Sequence, residues 1–304
     1  MFCQKYPVLV LPANRSPWNS LVLLFLLVVL GAVSGQFIAS IFCATDNDAI
    51  EQMIHIEKRT KLSLLVLQAI TASSAFIAAP IVYLYIFTQQ RLQTFFQWRQ
   101  SCSMPMLTTL GLVLAFMVVN TWFIQWNMDV KLPNWLSSFE MYAQNKEAVL
   151  KNLTRLLTSF NSLKEFGVGI LVMGLIPAIG EELVFRGLVQ HLFHRLYHNI
   201  HLAIGSSAFI FSAIHLQFYG FVPRFLLGVL LGYIYWWTKD LRFPIAAHLL
   251  HNTCVLFTLF LHQQKIIVQD TAALQVPPKP TLLFFAVIVF LLANFLQKQR
   301  KCVD

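Results

Sequence analysis

Two adjacent carboxylates and an arginine close a long apolar run. Phe166 to Ile179 is almost uninterrupted hydrocarbon, and Gly180-Glu181-Glu182-Leu183-Val184-Phe185-Arg186-Gly187 follows it. An ionisable side chain at membrane depth is expensive, so an acidic pair there points to function. Glu182 and Arg186 are four apart with the acid first, the favourable order for an ion pair on a helix. Such a pair fixes one helix face. Glu181 points about 100° away and is left for acid–base work, in which a proton is taken up and released. The alternative is a purely structural ion pair with a spare acid.

Two later apolar stretches carry comparable intrusions: Phe211-x-x-x-His215 and His248-x-x-x-Asn252. The first places a histidine one turn from an aromatic on the same face. It reads either as a catalytic or ligating group or as a hydrogen-bonded packing residue. The second brings two polar groups inward together. Buried polar groups need partners, and the nearest here are each other. His251, adjacent to Asn252, is expected to face elsewhere. The three patches are read as one site. A second set, His191, His194, His198 and His201, has helical spacing that could bind a metal; beside Arg195 and Tyr197 it reads instead as an interfacial, partly cationic face.

The elements that must position these groups are membrane helices. Hydrophobic residues make up 57% of the chain and charged residues 12%, against about 25% charged in soluble domains. The apolar runs are too long and continuous for a barrel. Spans are expected at about Ser20–Cys43, Leu62–Phe87, Met106–Trp126, Phe166 onward, Leu202–Phe218, Phe221–Trp237, Leu241–Leu261 and Thr281–Leu296. The fold is therefore an all-α bundle of about eight transmembrane helices. Pro177 should kink the fourth span and help aim the carboxylates inward. Between residues 129 and 165, Val149, Leu150, Leu153, Leu156, Leu157 and Phe160 recur at helical spacing with Lys151, Arg155 and Lys164 between them. That is an amphipathic helix lying in the interface, either a lid or substrate-guiding element or a helix packed on the bundle.

Residues 1–165 form a three-span region plus the amphipathic connection, 166–262 the candidate catalytic core, and 263–304 a loop, the last span and a basic tail, all in one integral domain. The net charge of +9 is scattered over short connections, which excludes a nucleic-acid face and suits contact with membrane lipid. Basic residues at Lys5, Arg15, Arg91, Arg99, Arg195, Lys239, Arg242 and the tail favour a multi-pass protein of the inner (plasma) membrane with both termini cytoplasmic. The cysteines (Cys3, Cys43, Cys102, Cys254, Cys302) show no metal-ligand spacing and read as free thiols. Cys302 sits one residue too late for a prenylation box.

Glu-Glu-x-x-x-Arg, Phe-x-x-x-His and His-x-x-x-Asn, in that order on successive membrane helices, resemble the CPBP family of intramembrane proteases, which includes the type II CAAX prenyl endopeptidases. The resemblance covers about Phe166 to Leu261, under a third of the chain, and Gly187 fits it too. It implies an eight-helix bundle and an endopeptidase acting on membrane-associated peptides or proteins, with water activated in a cavity open to the cytosol. Carried over, Glu181 is the general base and His215 helps it hold and deprotonate the water. His248 and Asn252 stabilise the oxyanion, while Glu182, Arg186 and Phe211 support them. No cofactor is firmly implied, and zinc is possible. In a zinc-dependent version Glu181, His215 and His248 would be the ligands, although asparagine is a poor zinc ligand and HExxH is absent. Rival readings are a non-catalytic immunity or binding protein and a proton-coupled transporter; no internal repeat supports the latter.

Overall fold

The computed structural model describes residues 16–43, 61–88, 103–266 and 276–301. Lys5, Arg15, Arg91, Arg99 and the charged connection 46–60 lie outside the described residues. Within them the regular structure is helical: α1 Pro17–Cys43, α2 Lys61–Thr88, α3 Ser103–Met128, α4 Ser137–Leu157, α5 Leu163–Tyr197, α6 Ile200–Ala213, α7 Phe221–Thr238, α8 Arg242–Gln263 and α9 Lys279–Lys301. Seven of these are long and apolar enough to cross a membrane. The chain is an all-α membrane protein.

The expected fifth span is the exception. Asn199 caps α6, its side-chain oxygen accepting from the backbone of His201 and Leu202. The helix then stops after 14 residues. It rises about 21 Å, short of the roughly 30 Å hydrocarbon core. No glycine or proline marks the stop. Leu216 takes a left-handed backbone (φ 54°), and Ser212 Oγ donates to the Phe221 carbonyl at 2.7 Å, folding 214–220 into a tight connection. Hydropathy continues through this connection while the helix does not.

α5 is the centre of the bundle and packs against α2, α6, α7 and α8. Small residues let its neighbours approach. A Cβ on Gly180 would lie 2.7 Å from Phe76 of α2, and one on Gly232 of α7 would lie 2.8 Å from Ile204 of α6. Gly228 and Gly232 sit one turn apart, and their carbonyls accept from Arg186 Nη2 (2.8 Å) and Gln190 Nε2 (3.3 Å) of α5. The pairs run in the same order, so α5 and α7 are parallel and α6, though short, returns the chain between them. α1 and α9 are peripheral. Phe25, Leu30, Phe284 and Phe290 are exposed on them, as lipid-facing side chains should be.

α4 is amphipathic as expected, but only part of its apolar stripe is used. Leu157 and Phe160 are buried and Leu153 packs near Leu64 and Val172, whereas Val149 and Leu156 stay exposed. Its far end is clamped. Lys61 Nζ bonds Glu165 at 2.7 Å and also the Ser159 carbonyl, while Gln263 of α8 donates to the Thr158 carbonyl at 2.7 Å.

If each long helix crosses and α6 returns, α4 lies on the membrane face opposite the start of α1 and the end of α9. Single cysteines at Lys146 and Lys298, in a background without the native cysteines, should react with an impermeant thiol reagent from opposite sides of sealed vesicles. Labelling from the same side would refute this topology.

Candidate active site

Glu182 organises the site. Its side chain is fully buried, and Arg186 Nη1, one turn on, donates to Oε1 at 2.6 Å. The expected i,i+4 pair is therefore formed. The same Oε1 accepts from His248 Nδ1 of α8 at 2.8 Å. The Arg186 guanidinium stacks 4.9 Å over the Phe211 ring, a cation–π contact that counts for more away from water. Phe211 in turn meets Phe185, His215 and His248 edge to face, with centroids 5.2, 5.3 and 6.1 Å away. It is the plate on which the polar groups are mounted.

Two departures from regular α-helix shape α5 here. Widened turns with i→i+5 hydrogen bonding occur at Ile170–Leu175 and Leu183–Val189, on either side of Pro177 and the acidic pair. Such turns often mark functional sites. Pro177 lacks an N–H, so the carbonyl of Met173 loses its usual i+4 donor. Asn252 Nδ2 of α8 donates to that carbonyl at 3.4 Å.

This corrects one expectation. His248 and Asn252 do not partner each other: His248 is turned to Glu182 and Asn252 to Met173, because α5 offers each a better acceptor. His251 does not face elsewhere either. Its Nδ1 meets Asn252 Oδ1 at 3.3 Å, and it lines the same cavity as Asn252.

His215 lies in the connection after α6 rather than on the helix. Its Nδ1 is 2.8 Å from the Phe211 carbonyl. A carbonyl only accepts, so Nδ1 carries the proton and Nε2 is left as an acceptor in the neutral ring. Glu181 Oε2 is 3.9 Å from His248 Nε2. One water hydrogen-bonded to both would span that gap, each bond being about 2.8 Å.

Glu181, Phe211, His215, His248 and Asn252 all line one cavity of about 1130 Å³. Glu182 and Arg186 stand behind this wall. The opposite wall was not read from the sequence. It comprises Asn120 of α3, Arg224 of α7 and a polar stripe on α4, Glu140, Gln144, Glu147 and Lys151. That stripe has helical spacing (i, i+4, i+7, i+11), a signal present in the sequence but overshadowed by the apolar residues around it. Phe139 holds α4 to the 214–220 connection, edge to face with Phe218 at 5.8 Å. Partial burial pushes the Glu147 carboxyl above the ordinary carboxylate range, and the charge of Arg224 opposes this.

The second histidine set is engaged with aromatic residues of α7. His191 Nε2 bonds Tyr235 OH at 2.9 Å, His201 Nδ1 bonds Tyr233 OH at 2.6 Å, and the His194 ring lies 5.7 Å from Trp236. Among the described residues no three His, Cys, Asp or Glu side chains are grouped to hold a metal ion. Around Glu181 the reason is geometric. Two ligands of one tetrahedral zinc sit about 3.3 Å apart when each is about 2.0–2.1 Å from the metal. The Glu181–His248 separation of 3.9 Å is wider than that. As arranged, the two atoms are spaced for a bridging water rather than for one tetrahedral zinc.

Residues 164–254 match the family model for type II CAAX prenyl endopeptidase Rce1-like proteins. The matched segment holds Glu181, His215, His248 and Asn252, and the family resemblance read from the sequence stands. The uncharacterized protein YpbD of Bacillus subtilis (strain 168) is 30% identical over 83 residues, covering 26% of this chain and 39% of that protein. The chain thus spans about two fifths of that relative's length. No solved structure matches it. Seven helices of membrane length and composition make the chain a multi-pass membrane protein.

Removing one member of a buried pair leaves an uncompensated charge, at a cost of about 3–5 kcal/mol. Arg186→Met should therefore lower the thermal unfolding midpoint in detergent sharply, and adding Glu182→Leu should recover part of the loss. An unchanged midpoint for the single variant would show that the pair carries no stability.

Proposed function

We propose that this chain is an intramembrane endopeptidase that hydrolyses peptide bonds without a metal. The observation that supports this best is Glu181 Oε2 facing His248 Nε2 at 3.9 Å on the wall of a cavity large enough for a peptide.

A water held between the carboxylate and the imidazole is oriented further by His215 Nε2, which the Phe211 carbonyl leaves as an acceptor. Glu181 takes a proton from the water as its oxygen attacks the substrate carbonyl carbon. The negative charge that develops on the carbonyl oxygen is met by donors fixed beforehand. Asn252 supplies an amide N–H, its oxygen being turned to His251. His248 supplies Nε2–H, which requires both ring nitrogens to carry protons, since Nδ1–H is given to Glu182. Glu181, Glu182, Arg186 and His248 then hold two negative and two positive charges. The C–N bond breaks as Glu181 passes its proton to the leaving amine. Glu182, Arg186 and Phe211 act by positioning.

The cavity lies against α4 and residues 129–131 after α3, on the face opposite the termini. Cytoplasmic termini and a cavity open to the cytosol are therefore incompatible in this fold. The basic residues favour cytoplasmic termini in the plasma membrane, with the substrate entering from the other face.

Purified protein should cleave a labelled membrane-associated peptide. Glu181→Gln and His215→Ala should abolish cleavage while keeping the wild-type unfolding midpoint, and Asn252→Ala should slow it by about 10²–10³, the usual loss for one oxyanion donor. Full activity in Glu181→Gln would end the general-base assignment, and a wild type that only binds peptide or moves protons would favour the rival readings. Activity should also survive exhaustive chelation; loss on chelation with recovery on adding Zn²⁺ would reverse the metal-free mechanism.

A further inference from the structure

Arg224 lies in the first turn of α7, on the wall of the same cavity, and the reaction above makes no use of it. A cation in that place opposes the helix macrodipole, which favours negative charge at the N-terminal end. The backbone there has little left to offer a ligand: Val222 N–H donates to Asn127 Oδ1 at 3.0 Å, Pro223 has no N–H, and Arg224 N–H turns back to Gly220. The side chain, however, is held in place. Nη2 donates to Gln217 Oε1 at 2.6 Å. The guanidinium lies so close over Gly220 that a Cβ there would be 2.9 Å from Nη2. Gly220 has a φ of −111°, which any residue adopts, so a Cβ there would act by pushing the guanidinium aside.

Nη1 is buried and has no hydrogen-bond partner among the described residues. Its charge reaches Glu181 and Glu147, yet among the described residues neither carboxylate comes within ion-pair distance of it. A guanidinium on the cavity wall, held by its neighbours and with one buried N–H group unpartnered, is a donor that a planar anion satisfies.

We infer that Arg224, seated over Gly220 and braced by Gln217, is a carboxylate-binding subsite that holds an anionic group of the peptide while Glu181 and His248 address the scissile bond. The inference rests on the endopeptidase reading and narrows its substrates to peptides bearing a carboxylate near the cleaved bond, whether an acidic side chain or the chain terminus.

The test uses the full-length protein in liposomes and one fluorogenic peptide in three forms: free C-terminal carboxylate, C-terminal amide, and amide with an aspartate beyond the cleaved bond. A charge-assisted hydrogen bond inside a cavity corresponds to about ten-fold or more in affinity. Wild type should therefore favour at least one carboxylate form over the plain amide by about ten-fold in kcat/KM, carried mainly by KM. Whichever form is favoured identifies the source of the anion. In Arg224→Gln the ratio should fall toward one, Arg224→Lys should keep part of it, and Gly220→Ala should lower it by displacing the guanidinium. If Arg224→Gln does not fold, Gly220→Ala carries the test. Fluorescence anisotropy of the same peptides on the Glu181→Gln protein reads the subsite apart from the chemistry. There too the carboxylate form should bind more tightly, and adding Arg224→Gln should erase the difference. Equal handling of all three forms by wild type, or a preference that survives in Arg224→Gln, overturns the subsite. Preferential binding without any cleavage leaves the subsite standing and fails the hydrolase reading instead.

Discussion

A carboxylate that cannot reach water must be neutralised by its own protein, and in this bundle that constraint falls on Glu182. One of its oxygens accepts from both Arg186 and His248, on helices far apart in sequence. Arg186 then needs an acceptor for its second nitrogen and finds it in the Gly228 carbonyl, while the missing side chain of Gly228 lets α6 pack close through Ala208 and Phe211. His248, bonded through Nδ1, has its other nitrogen directed at Glu181. The glycine spacing of α7, the ion pair of α5 and the aim of the α8 histidine are thus parts of one electrostatic arrangement. Each would be unfavourable alone in a membrane.

Much of this was legible before any coordinates, because hydrocarbon penalises polar groups heavily enough that their mere presence is informative. The spans, the i,i+4 pair of Glu182 and Arg186, and the gathering of Glu181, Phe211, His215, His248 and Asn252 around one cavity all follow from that asymmetry. Partner choice does not. That His248 prefers Glu182 to Asn252 depends on the rotation of α8 against α5, which residue spacing within one helix cannot report. The Met173 carbonyl is a subtler case: Pro177 announces that a backbone acceptor is released four residues earlier, but not which side chain will claim it. Arg224 escaped notice because a basic residue beside a span reads as a topology signal. The early stop of α6 was hard to read, since Ile214, Leu216 and Phe218 carry apolar residues past the helix end and the chain turns through Leu216, a residue without turn propensity.

The family match covers α5 to most of α8, while the cavity extends beyond it. Asn120 of α3 bonds the Pro223 carbonyl at 3.3 Å and Asn127 holds the Val222 N–H, so α3 fixes where α7 begins. α2 seats against Gly180 directly before the acidic pair. α4 supplies the wall facing the catalytic groups. The matched core brings the reactive side chains together, and the flanking helices determine the shape and charge of the space in front of them.

The short α6 has an effect outside the protein. Acyl chains beside a helix about a third shorter than the hydrocarbon layer must compress or tilt to cover it. That leaves a dimple in the bilayer next to the turn that carries His215. Headgroups and their hydration would be drawn down to the depth of the cavity, so lipid chain length bears on that site as much as any residue in it.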